Sequence, residues 1–356
     1  MKIALLNLLY DNNYGGHLQR YALMKVLDGL GNETVHLYCR NEPSSISEKI
    51  KGSIRKILFL LTGLLSRHNL MESLCNRYGN KNMAGDMFYK KYIKHTSQIT
   101  NREDLKKYLD FDVFVVGSDQ VWRKRYMLWG MGTYFFDYLP NNKTKIAYSV
   151  SLGANIEECT PEEIEQLTPL YNNFKAVSVR EDSAIEILHN RGWNKPKPVL
   201  TLDPTMLLSR DNYLTIINDN KTRTPKGDLF VYVLDKSDEV KNVISKYNLD
   251  EKYKPYSISI KSRNPQSVPQ WLRNFRDAKC VITDSFHGLV FSVIFNKPFY
   301  LVLNEQRGSA RFISLLNQLG LTQNGLDLQQ KDWIEVNSRI ESLKKQSFYF
   351  IKVALQ

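Results

Sequence analysis

The sequence predicts an α/β fold of two successive, mainly parallel sheets with a cleft between them. Three observations lead there. Short apolar strands alternate with amphipathic helices through most of the 356 residues. The alternation breaks once, near Ser209, and then restarts. Polar loops rich in Gly, Asp and Arg recur directly after strands, which is where open α/β sheets hold ligands. At roughly 100–200 residues per domain the length also suits two. The expected units are residues 1–208, with a basic insert at 44–79, a linker at 209–227, and a second domain at 228–356.

The first strand runs from Ile3 to Leu8, followed by a loop from Tyr10 to Gly16. Leu18, Tyr21, Ala22, Leu23, Val26, Leu27 and Leu30 then make the apolar face of a helix closed by Gly31-Asn32. Thr34 to Tyr38 completes a β-loop-α-β unit. From Ser44 to Gly79 the chain is basic around Ile57-Leu58-Phe59-Leu60-Leu61, which reads either as a packed helical hairpin or as a membrane-surface segment. Helical stretches at Met87–Ile93 and Arg102–Tyr108 precede the strand Val113–Val116 and the loop Gly117-Ser118-Asp119-Gln120-Val121-Trp122. Strands follow at Lys145–Ser149, Ala176–Val179 and Val199–Leu202. Between the first two, Thr160-Pro161-Glu162-Glu163 has the residues of a capped helix start.

Arg210 to Gly227 is polar and reads as a linker. The second series has strands at Leu229–Leu234, Pro255–Ile260, Cys280–Thr283 and Phe299–Val302. Helices are expected at Val240–Tyr247, Val268–Ala278, Leu289–Phe295, Arg311–Leu319 and Trp333–Lys344.

A formal charge of +12 favours anionic partners. No zinc-finger spacing, RRM octamer or basic-leucine region accompanies it, so nucleic acid is not expected. Cys39, Cys75, Cys159 and Cys280 are widely spaced, which argues against a zinc ribbon or a disulfide scaffold and for a reducing compartment. The apolar start, Met1 to Tyr10, reads as a buried strand rather than a signal peptide. No run reaches the ~18–20 apolar residues of a spanning helix. A cytoplasmic protein is expected, with no metal.

Thr283-Asp284-Ser285-Phe286-His287-Gly288 turns a strand directly into a helix. The free N–H groups and dipole of a helix start attract phosphate or carboxylate. Ser285 adds a hydroxyl, His287 a proton carrier near neutral pH, and Gly288 a close approach to backbone. Asp284 or Ser285 could equally serve as a helix cap. Ser118, Asp119 and Gln120 repeat this arrangement in the first domain. Gly15-Gly16 with Gln19 forms a third glycine-bearing helix start. Arg123, Arg180, Arg307 and Arg311 are candidate anion clamps, since a guanidinium meets such groups in a two-pronged way.

Taken in order, these segments resemble the polysaccharide pyruvyl transferase family. The likeness rests on Asn13-Tyr14-Gly15-Gly16 with Leu18-Gln19, Phe111-Asp112 leading to Gly117–Trp122, and Tyr148-Ser149-Val150-Ser151-Leu152-Gly153. It continues through Ser178-Val179-Arg180-Glu181, Leu202-Asp203-Pro204-Thr205, Thr283–Gly288 and Arg311 before Leu315-Leu316. The resemblance implies two Rossmann-like domains facing a cleft, as in GT-B glycosyltransferases. It also implies phosphoenolpyruvate as co-substrate, with no other cofactor, and a glycan or lipid-linked sugar as acceptor of a pyruvate ketal. The first domain is then the acceptor side and the second the donor side.

In that scheme Arg180, Ser285, His287, Gly288, Arg307 and Arg311 hold phosphoenolpyruvate. His287 is the acid/base, and Asp119 and Asp284 are candidates for removing a hydroxyl proton. Tyr14, Gly15, Gly16, Gln19, Ser118, Gln120 and Trp122 would face the acceptor. Where relatives often carry a further arginine after Leu319-Gly320-Leu321, this chain reads Thr322-Gln323-Asn324; either that anion contact is missing or Arg307 supplies it. The insert would suit work on a lipid-linked sugar at the inner membrane face. Two other readings compete: a GT-B glycosyltransferase using a nucleotide-sugar, with Glu305 as its loose ribose candidate, and a non-catalytic sugar- or anion-binding protein.

Overall fold

The structure is a computed structural model. It describes residues 1–11, 13–40, 83–153, 156–235, 238–258, 265–303 and 308–356. The insert 44–79, Arg307 and Glu305 lie outside the described residues.

Two sheets carry the fold. The first has six strands in the order β2-β1-β3-β4-β5-β6: β1 Lys2–Leu6, β2 Glu33–His36, β3 Val113–Val116, β4 Thr144–Val150, β5 Ala176–Val179 and β6 Val199–Leu200. All its pairings are parallel. The second has five, in the order β11-β10-β9-β7-β8: β7 Leu229–Tyr232, β8 Pro255–Ser257, β9 Cys280–Thr283, β10 Phe299–Leu301 and β11 Asn324–Gly325. Among the described residues only β11 pairs antiparallel. Ile3, Ala4, Leu5 and Leu6 are fully buried, because helices cover both faces of a parallel sheet and a central strand must be apolar on each.

The helices are α1 Tyr14–Gly29, α2 Met83–Tyr92, α3 Pro161–Asn172, α4 Asp182–Asn190, α5 Arg210–Asn218, α6 Asp238–Lys246, α7 Leu249–Lys252, α8 Val268–Asp277, α9 Phe286–Ile294, α10 Ala310–Leu319 and α11 Gln330–Leu355. Thr160 and Glu163 form the expected reciprocal cap of α3. The linker expectation needs correcting, because residues 210–218 are helical. Ser209 and Asn212 make a capping box there, and Tyr213, Ile216 and Ile217 are buried. The Asn, Asp and Thr read as loop signals are the cap and the solvent side of an amphipathic turn. The C-terminal helix is also longer than its expected span of Trp333–Lys344.

Tyr14 and the C-terminal helix both tie the second domain to the first. Tyr14 at the start of α1 stacks on Trp271 of α8, and its hydroxyl donates to the Gln266 carbonyl at 2.8 Å. Helix α11 returns to the first sheet, where Ile351 and Ala354 pack with Leu23, Leu27 and Tyr148, and the Leu202 N–H donates to Ser347 Oγ at 3.0 Å. One apolar cluster therefore runs through both domains. Truncating a buried isoleucine costs about 2–5 kcal/mol. Ile351→Ala should lower the thermal midpoint by several degrees, and calorimetry should show it as a shift of the transition that includes the first domain.

Candidate active site

Parallel neighbours deliver their carboxyl ends to one edge of the sheet, so β3, β5 and β6 place Asp119, Arg180 and Asp203 side by side. The second domain contributes His287 from the first turn of α9 and Arg311 from α10. Arg180 is the centre. Its Nη1 donates to Asp203 Oδ2 at 2.9 Å and its Nη2 to Asp119 Oδ1 at 3.1 Å. Arg311 Nη1 stands 3.8 Å from the same Asp119 oxygen. Both guanidinium groups lie by the Phe286 ring, Arg180 at 4.4 Å and Arg311 at 5.6 Å from its centroid.

Asp203 is tied on every side. Thr205 N and Thr205 Oγ1 donate to Oδ1 at 3.0 and 2.6 Å, and Gln19 Nε2 donates to Oδ2 at 2.6 Å. His287 Nε2 lies 3.7 Å from Oδ2. Glu181, beside Arg180, is occupied by Ser151 Oγ, Leu152 N and Gly153 N, all donating to Oε1. Asp119 has φ of +82°, a region that residues with a Cβ rarely use and that tends to persist where function holds it.

These are buried charges, and their environment moves them. Burial opposes ionisation of Asp119, but Arg180, Arg311 and His287 outweigh it and hold the carboxyl below its ordinary range. Burial likewise opposes ionisation of Asp203, yet His287, Arg180 and Thr205 keep it well below that range. For Arg180, the carboxylates of Asp119, Asp203 and Glu181 overcome burial and strengthen its hold on its proton. Arg311 behaves in the opposite way. Burial and then the like charge of Arg180 push it down to about 10, which Asp119 and Glu181 only partly offset. Its Nε is buried without a hydrogen-bond partner among the described residues.

The other expected residues are placed as follows. Ser285 caps α9 by accepting from Gly288 N at 3.3 Å. Gly288 presses on Thr283, where a Cβ would collide with Oγ1, so its small size serves strand-to-helix packing. Asp284 accepts from Leu234 N and Asp235 N, at 2.7 and 3.1 Å, and so pins the end of β7 rather than facing Arg180. Four of the positions expected to face the acceptor are engaged within the protein as follows. Tyr14 is spent on Trp271 and Gln266. Gly15 lies under His287, where a Cβ would collide with the ring. Gly16 N donates to the capping Asn13 Oδ1. Trp122 is buried in the first domain's core, stacked on Phe135 at 4.8 Å, with Nε1 donating to the Tyr134 carbonyl. Gln19 is turned to Asp203. Gln120 accepts from Arg123 Nη1 at 2.9 Å, and Ser118 is buried. Asp203 is not among the site residues expected from sequence, because a strand-end Asp before Pro looks like a turn former. Among the described residues no cluster of three or more His, Cys, Asp or Glu could hold a metal, and no helix is long and apolar enough to cross a membrane.

The sequence profile of the family described as polysaccharide pyruvyl transferase matches residues 13–306. The chain belongs to the polysaccharide pyruvyl transferase family. The match spans Gly15, Asp119, Arg180, Asp203 and His287 and stops before Arg311. No protein of curated function matches the chain. Among solved structures, UDP-N-acetylglucosamine 2-epimerase from Rickettsia bellii is similar in fold, with a TM-score of 0.51 and 9% identity over 99% of this chain and 96% of that one. A glycosyltransferase from Rickettsia africae gives a TM-score of 0.46 and 11% identity, over 100% of this chain and 99% of that one. The two parallel-dominated α/β sheets, with the likeness in fold to the Rickettsia bellii protein, give the pyruvyl transferase family member the two-domain GT-B architecture.

Two outcomes follow for this family member. At Gly15, helix propensity favours Ala by about 1 kcal/mol, whereas forcing a methyl into a filled space costs about 1–3 kcal/mol. Gly15→Ala should therefore be net destabilising in urea denaturation and should displace His287. The depressed carboxyls of Asp203 and Asp119 bind protons more tightly when unfolded, so they stabilise the fold above the ordinary Asp value of about 3.9. That stability is lost as pH falls below it toward the folded values. In Asp203→Asn the acid limb of stability against pH should be shallower than in the wild type.

Proposed function

We propose that this family member transfers the pyruvyl group of phosphoenolpyruvate to two hydroxyls of a sugar in a polysaccharide or its lipid-linked precursor, forming a ketal. The observation that carries the reading is Arg311: a buried cation, short of counter-charge, with an unspent Nε beside Arg180 and the capped start of α9. An anion bearing phosphate and carboxylate would supply that charge, and two guanidinium groups suit its two ends. The family match supports the same donor.

The chemistry balances without a redox partner. One proton is delivered to the methylene carbon, making it a methyl group. A sugar hydroxyl oxygen bonds to the central carbon, the bond from that carbon to the phosphate oxygen breaks, and a second hydroxyl closes the ketal. The two hydroxyl protons account for the new C–H bond and the protonated phosphate. His287 serves as the acid/base at the methylene carbon. Asp119, ionised and next to both arginines, is the better of the two aspartates for the hydroxyl, because Asp284 is committed to backbone N–H groups. Phosphoenolpyruvate is the co-substrate and no metal takes part. The setting we propose is cytoplasmic, with peripheral contact at the inner membrane face through the insert 44–79.

A thermal-shift panel tests this. Phosphoenolpyruvate should raise the melting temperature, and stabilisation by nucleotide-sugars alone would overturn the reading in favour of a glycosyltransferase. His287→Ala should keep most of the phosphoenolpyruvate-induced shift while phosphate release in the presence of acceptor glycan falls by about 10²–10⁴; full turnover would remove His287 from the mechanism.

A further inference from the structure

Asp203 has no assigned part in the scheme above, yet it is the most heavily bonded carboxylate near the reacting residues. It is 2% exposed. Oδ1 accepts both Thr205 donors, and Oδ2 accepts Gln19 Nε2 at 2.6 Å and Arg180 Nη1 at 2.9 Å. A carboxylate satisfied in this way is a poor base. It is well suited to holding other groups still, since its own position is fixed by a backbone N–H, a hydroxyl, an amide and a guanidinium.

The fifth neighbour is His287 Nε2, 3.7 Å from Oδ2, buried and without a hydrogen-bond partner among the described residues. The opposite side of the ring, at Nδ1, rests over Gly15, where any side chain would collide with it. An ionised carboxylate only accepts hydrogen bonds, so its charge favours a proton on the nitrogen turned towards it and leaves the lone pair on the other.

We infer that Asp203 is a positioning residue for His287: it selects the tautomer protonated at Nε2, so that Nδ1 is the atom that takes and gives the proton of the reaction. The inference rests on the reading of His287 as the acid/base. Gln19 then has a role as well. By occupying Oδ2 from α1, it keeps the carboxylate turned to the imidazole and shares its charge. Asp203 beyond β6 and Gly15 on α1 face the ring, and Phe286 lies edge-on to it; Asp119 beyond β3, Arg180 beyond β5 and Arg311 on α10 are the other charges of the site. Of the two carboxylates, Asp203 is the one whose oxygen faces Nε2; Asp119 acts on the ring as a more distant charge.

Histidine side-chain ¹⁵N NMR on the full chain tests this directly, with the His287 signals assigned by their loss in His287→Gln. The wild type should show the Nε2–H tautomer. Asp203→Asn should mix the tautomers, because the amide no longer carries the charge that favours a proton on Nε2 and can itself donate. Gln19→Leu should also populate the Nδ1–H tautomer, because it frees the carboxylate that Gln19 keeps turned to the imidazole. If Asp203→Asn fails to fold, the tautomer populations in Gln19→Leu decide alone. An unchanged tautomer in Asp203→Asn, or in Gln19→Leu, overturns the inference.

In turnover, Asp203→Asn should cut kcat at least about tenfold and move the pH profile, with KM for phosphoenolpyruvate little changed. Asp203→Glu should recover part of kcat. A loss that leaves the pH profile in place would mean a merely structural role. If the NMR shifts appear while wild-type protein neither binds nor consumes phosphoenolpyruvate, the proposed reaction fails and the Asp203–His287 relation stands.

Discussion

The structure depends on a buried chain of alternating charge, Asp203–Arg180–Asp119–Arg311. Each link comes from a different element: the ends of β6, β5 and β3 and the start of α10. Ion pairs taken out of water gain little net stability, because desolvation offsets attraction, but removing one member leaves a buried charge that costs about 3–5 kcal/mol. The chain therefore fixes geometry more than it adds stability. Strand ends that could drift as loops are held at hydrogen-bond distances, and the second domain is brought to the same spot through Arg311. An environment organised before substrate arrives needs little rearrangement during reaction. Arg311 sits at the end of the chain, where burial first and then the like charge of Arg180 weaken it as a cation, and the one Asp119 oxygen it shares with Arg180 only partly offsets them.

Much of this architecture was legible in the sequence. The strands and most helices announced themselves by apolar runs and caps, because parallel sheets bury both faces and leave clear contrasts at the turns. The strand-to-helix segment at Thr283 to Gly288 and the arginines at 180 and 311 were read as site residues, and the fold does bring His287, Arg180 and Arg311 together. Tyr14, Gly15, Gly16 and Trp122 belong to motifs near the site, and a motif does not reveal what each residue packs against. Tyr14 and Trp122 turn into cores, and Gly15 is small so that His287 can lie over it. Asp203 was passed over for the opposite reason. Its local sequence, before Pro and Thr, is fully explained by a turn, and its partners Gln19 and Arg180 are far away along the chain. Only tertiary structure reveals a hub whose Oδ1 is held by the local Thr205 while its Oδ2 is held by the distant Gln19 and Arg180.

The contact between α1 and α9 has a second aspect. Gly15 and His287 each lie in the first turn of their helix, so two helix starts meet across the domain boundary. Each carries partial positive charge from its unpaired N–H groups. Asp203 and Asp119 lie close to this meeting point, and their carboxylates lower the cost of bringing two positive ends together. The domain contact and the chemistry of the site are thus maintained by the same residues, and a substitution that harms one is expected to register in the other.

The return of α11 to the first sheet bears on how the protein is made. Residues 330–355 leave the ribosome after both sheets have been synthesised, yet Ile351 and Ala354 complete the packing of Leu23, Leu27 and Tyr148. Domains usually fold in order of emergence. Here the apolar face formed by Leu23, Leu27 and Tyr148 stays uncovered while the whole second domain is translated, because the helix that covers it is made only afterwards.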